Sequence, residues 1–70
     1  MKKRKNLKLF RIDKELSQQQ IAEKLGYSRG QYARFENGEQ DVTLRFLEAL
    51  TTAFGISLKE AKAVTKRENE

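Results

Sequence analysis

Neither cysteine nor histidine occurs in this 70-residue chain. Their absence removes disulfide stapling, thiolate chemistry and the usual zinc sites, so no redox, metal or cofactor role is expected. It also leaves only generic carboxylates as bases, and an enzyme reading finds no nucleophile-and-base pair to stand on. Any apolar run long enough for a signal segment or a membrane span is missing too, which makes a bacterial or phage-encoded cytoplasmic protein the expectation. Internal repeats and low-complexity tracts are absent. A chain this short forms one domain and hides roughly 60% of its unfolded surface, so the core is small and a deep substrate pocket is not expected.

What the chain has is positive charge, unevenly placed. The net charge is +5, yet residues 1 to 14 alone carry seven Lys or Arg against one Asp, while the other 56 residues sum to −1. Lys2, Lys3, Arg4 and Lys5 form a basic arm over residues 1–5, and Lys8, Arg11 and Lys14 continue the charge. The arm is either a solvated start that keeps the protein soluble or a phosphate-binding segment.

The stretch from Leu16 to Gly38 organises the rest. Ser17-Gln18-Gln19-Gln20 sets a hydroxyl three residues before an amide, the reciprocal pattern that caps a helix start. Ser28-Arg29-Gly30-Gln31 repeats it eleven residues on. Each helix then meets a glycine, Gly26 and Gly38, able to take the left-handed conformation of a helix end. Only Tyr27 separates Gly26 from Ser28, so the second of these helices leaves the first at a sharp angle, as in a helix-turn-helix. Ile21, Ala22 and Leu25 form the buried stripe of one; Tyr32 and Phe35 form that of the other. Arg29, Gly30, Ala33, Arg34 and Asn37 fall on the opposite face. Hydrogen-bond donors set among very small residues suit a groove lined with acceptors, such as the DNA major groove.

With Ser17-Gln18, Ile21-Ala22, Leu25-Gly26, Ser28, Phe35-Glu36-Asn37-Gly38, Leu44, Leu47 and Phe54-Gly55-Ile56-Ser57, the run from Leu16 to Ser57 closely resembles the Cro and phage-repressor type (XRE-like) helix-turn-helix family. That resemblance implies an all-α, five-helix lambda-repressor-like domain over residues 6–65, its second and third helices forming the motif. It also implies that Arg11 pairs with Glu36 as scaffold, tying the first helix to the end of the recognition helix. Gln18 is expected at a DNA phosphate, helped by the positive start of its helix, or else is a polar first-turn residue. Arg29 and Arg34 are the expected base readers, each able to offer a bidentate fork to guanine; the alternatives are two ordinary surface arginines, or a phosphate contact for Arg34. Gln31, Asn37 and Arg45 complete the expected phosphate contacts.

Three departures from the family stand out. Gly30 occupies a place where relatives often put a base-reading side chain; it either permits close backbone approach or reads nothing. Glu39-Gln40-Asp41 is acidic where many relatives are basic, which weakens the phosphate clamp. Tyr32 is larger than the aliphatic residue usual there, so its hydroxyl is expected at solvent or a phosphate.

The remaining segments read as support. A first helix is expected from Asn6, as cap, to Glu15, with Leu7, Phe10 and Leu16 near the core. Thr43 caps a helix to Phe54 whose Leu44, Leu47, Leu50 and Phe54 form a core stripe. Ser57-Leu58-Lys59-Glu60 is a third capping box, opening a helix with Leu58, Ala61 and Val64 on one side. In the family a helix near this end often supplies a dimer contact; here it would be weak and form on DNA. Residues 66–70 read as a frayed tail. The expectation is a sequence-specific binder of double-stranded DNA, a small phage or mobile-element repressor acting by promoter occlusion on a pseudo-palindromic operator. The competing expectation is a protein-interaction module, such as an antitoxin, with weak or lost DNA binding.

Overall fold

Local capping chemistry sets most of the helix boundaries in the computed structural model, which describes residues 3–67. Five helices follow in order: α1 (Lys5–Asp13), α2 (Gln18–Leu25), α3 (Arg29–Glu36), α4 (Leu44–Phe54) and α5 (Leu58–Val64), with no strand among the described residues. In α2 and α3 both capping boxes are complete: the Ser17 and Ser28 hydroxyls accept from the Gln20 and Gln31 N–H groups, and the two glutamine side chains accept from the serine N–H groups in return. At the end of α3, Gly38 at φ 77° lets its own N–H reach the Phe35 carbonyl and the Glu39 N–H reach that of Arg34 at 2.9 Å. The last turn is thereby closed without a side chain. Ser57 accepts from Glu60 N–H at 3.0 Å, but no bond from the Ser57 N–H back to Glu60 accompanies it, so this box is half formed.

Three boundaries or faces differ from the sequence expectation. Asn6 lies inside α1 rather than capping it; Arg4 is the cap residue and makes no capping bond, because tertiary bonds hold it in place. Helix α1 stops at Asp13, two residues short, and the chain turns through Glu15 at φ 58°. In α4 the inward residues are Phe46 and Leu50, with Leu47 and Phe54 half-buried, while Leu44 is 62% exposed. The stripe is centred on Phe46, and Leu44, the first residue after the cap, faces outward from it.

The core comprises Leu7, Ile21, Ala22, Leu25, Tyr32, Phe35, Phe46, Leu50 and Ala61, drawn from all five helices. Helix α2 packs on α3 and α4, and α5 closes the bundle against α4 and α1. No described helix is long and apolar enough to cross a membrane.

Candidate functional site

Helix α3 is held by one aromatic face. Phe35 meets Phe46 of α4 with ring centroids 4.2 Å apart, Tyr27 stands edge-on to Phe35 at 5.4 Å, and Tyr32 stacks on Phe46 at 6.4 Å. Such contacts fix the roll of a short helix about its axis as well as burying area. Phe46 escaped the sequence reading because the leucine spacing of α4 suggested a different stripe. With Tyr32 and Phe35 inward, Arg29, Gly30, Arg34 and Asn37 are exposed, Ala33 is half-buried, and Gln31, also exposed, is held in the capping box with Ser28. A side chain at Gly30 would meet nothing within 4 Å.

Beside the carboxyl end of α3 lies a concavity of about 390 Å³, bounded by the start of α1, the start of α2 and Asn37. Lys3, Arg4, Lys5 and Lys8 line it together with Gln18. Lys8 was not among the expected contacts, although its spacing from Lys5 is the signal that places both on one side of a helix. Arg11 and Glu36 line the concavity too, and they meet through two bonds, Nε to Oε2 at 2.9 Å and Nη2 to Oε1 at 3.3 Å, while Nη1 donates to the Leu16 carbonyl. Gln18 Nε2 donates to Glu36 Oε1 at 3.2 Å, so this amide is engaged by the scaffold pair as it lines the concavity.

Electrostatics around the pair are coupled. Burial acts to raise the Glu36 carboxyl, but the bonds from Arg11, with Tyr32 and Gln18 nearby, hold it below the usual carboxylate range. The same carboxylate raises Arg11 further. Tyr32 is fully buried, correcting the expectation that its hydroxyl reaches solvent or phosphate. That hydroxyl lies beside Arg11 and Glu36 without reaching hydrogen-bond geometry to any group, and burial followed by the adjacent carboxylate pushes its pKa up.

Arg4 is the main correction to the expected phosphate contacts. It is 3% exposed, and its guanidinium donates to the carbonyls of Thr65, Phe35 and Gln40. A group sunk among carbonyls is scaffold, not arm. Lys3 and Lys5 are exposed, Lys5 as the first residue of α1; Lys2 lies outside the described residues. Asn37 Nδ2 donates to Glu39 at 3.2 Å, and the Arg45 guanidinium sits 5.0 Å from the Tyr27 ring centroid, both on exposed side chains. Asp41 pairs with Arg67 at 2.7 Å, so part of the acidic segment is neutralised within the fold, and the chain is engaged as far as Arg67. The frayed-tail expectation for residues 68–70 lies outside the described residues.

The exposed face of α3 and the adjoining concavity offer cationic and amide donors. Such a surface can meet hydrogen-bond acceptors and anions. In comparison with known proteins, a family model described as Helix-turn-helix matches residues 7–60. No curated protein and no solved structure gives a significant match.

Proposed function

This chain belongs to the Cro/C1-type helix-turn-helix family of DNA-binding transcription regulators, and from that membership we propose that it is a sequence-specific repressor, of the small phage or mobile-element kind, acting by promoter occlusion. The observation that supports the specific reading is the exposure of Arg29, Gly30 and Arg34 on a helix whose opposite face is locked by aromatic packing. The two arginines are assigned to guanines through bidentate contacts worth ~1–3 kcal/mol of discrimination each. Lys3, Lys5 and Lys8, with Gln18, Gln31, Asn37 and Arg45, are assigned to the phosphate backbone.

A homodimer through α5 forms on DNA in this reading, and its free form is weak because Ala61 and Val64 are spent largely on the core, leaving Leu58 at 42% exposure. Two-fold symmetry then sets half-sites ~10 bp apart, centre to centre.

Selection of bound duplexes from a randomised pool at near-physiological salt tests this. A palindrome containing guanines at one-turn spacing is the expected product, and the double substitution Arg29→Ala with Arg34→Ala is expected to abolish sequence preference while the circular dichroism spectrum is unchanged. If the folded protein yields no motif, α3 does not read sequence, and the interaction-module reading takes its place.

A further inference from the structure

Three helices and one loop converge on Arg4. Its Nε donates to the Thr65 carbonyl at 2.8 Å; its Nη1 donates to the Phe35 carbonyl at 2.6 Å and the Gln40 carbonyl at 2.8 Å. Its backbone N–H donates to the Glu36 carbonyl at 2.9 Å, and its own carbonyl accepts from Leu7 and Lys8 to open α1. Phe35 and Glu36 form the last turn of α3, and Thr65 caps the end of α5. The Phe35 carbonyl already accepts from the Gly38 N–H, so Arg4 adds a second donor there and one fork joins the carboxyl ends of two helices. The carbonyls it joins lie 31, 36 and 61 residues away in sequence.

We propose that Arg4 is a positioning residue for DNA recognition: without touching DNA, it fixes the exit of α3 against α1, α5 and the loop at Gln40, and so sets the angle at which Arg29, Arg34 and Asn37 meet the duplex. The inference rests on the reading of α3 as the DNA-reading helix. Geometry, more than charge, carries the role. A planar fork supplies donors in several fixed directions, whereas a lysine ammonium is a compact point charge on a flexible stem. Arg4→Lys keeps the charge and loses the clamp.

The test uses the full chain and the duplex recovered by selection. Affinity is measured as a function of salt for wild type and Arg4→Lys, on that duplex and on a scrambled one, with the folded fraction read by circular dichroism. A wild type that selects no sequence removes the DNA reading itself, before Arg4 is tested. Given a selected duplex, folded Arg4→Lys is expected to lose roughly tenfold in affinity, the scale of a lost charge-assisted hydrogen bond. The loss is confined to the selected duplex, and the slope of log K against log salt stays unchanged. Wild-type affinity in Arg4→Lys overturns the proposal, as does a loss that vanishes once the folded fraction is counted or one that is equal on both duplexes.

If Arg4→Lys does not fold, a synthetic chain with citrulline in place of Arg4 decides, because citrulline keeps the Nε–H and an NH2 group but carries no charge. Binding of the selected duplex with an unchanged salt slope supports positioning. A slope shallower by about 0.9 marks a lost phosphate contact and overturns it. Failure of the citrulline chain to fold also overturns it, since a role that needs the charge is not the geometric clamp proposed.

Discussion

Glu15 carries backbone strain that a single substitution relieves. A left-handed conformation such as its φ of 58° costs an L-residue roughly 1–2 kcal/mol. Glycine removes that cost but gives back ~0.4–1 kcal/mol through a freer unfolded chain. Glu15→Gly is therefore expected to stabilise by up to about 1.6 kcal/mol, seen as a higher urea midpoint at constant slope; a lowered midpoint would refute the strain. Glu36 makes the opposite case, a residue whose removal costs. Its folded carboxyl titrates below the ordinary value of 4.5, so its contribution is full above that pH and drains as the pH falls through the lowered folded value. Asp41, lowered by Arg67, acts in the same direction. Glu36→Gln strands the guanidinium of Arg11, 13% exposed, and is expected to cost ~3 kcal/mol or more at neutral pH. Its stability is also expected to fall less steeply than wild type as the pH drops below about 5, because one carboxylate no longer titrates. Parallel acid limbs in urea titrations would contradict the assignment.

At the scale of elements, α3 is short and depends on its ends and its aromatic face. Gly30 weakens its first turn, and the open space around it admits a methyl group. Gly30→Ala is expected to stabilise by ~0.5–1 kcal/mol from helix propensity, raising Tm by several degrees for a domain of this size. Specific DNA binding decides between the two roles left open for Gly30: a close backbone approach makes the alanine bind less well, and a position that reads nothing leaves binding unchanged. The caps and turns of α2 and α3 were legible in sequence because each depends on residues within four positions of one another. The stripe of α4 was not. Leu44, Leu47, Leu50 and Phe54 satisfy helical spacing, but so do Phe46, Leu50 and Phe54, and only packing against Phe35 and Tyr32 selects the second set.

Across the whole molecule, the excess positive charge sits at one end of the chain, and the fold brings Lys3, Lys5 and Lys8 to the concavity beside α3. If all three meet phosphates, substituting them together by alanine makes the slope of log K against log salt shallower by about 2–3, at ~0.9 per contact, with sequence preference retained. A slope within half a unit of wild type would take the concavity out of the interface. The same basic segment also contains Arg4, which has the composition of an arm and the surroundings of a core residue.

Local chemistry determined, from sequence alone, the number of helices, the tight turn at Tyr27 and the outward face of α3, since serine caps, glycine ends and apolar spacing act over one or two turns. Tertiary structure decided what depends on distant chain: the burial of Arg4 under carbonyls up to 61 residues away, the confinement of the Tyr32 hydroxyl beside Arg11 and Glu36, and the exposure of Leu44. In each case the side chain's own chemistry allowed two environments, and the choice between them came from which helix end or ring the fold delivered to it.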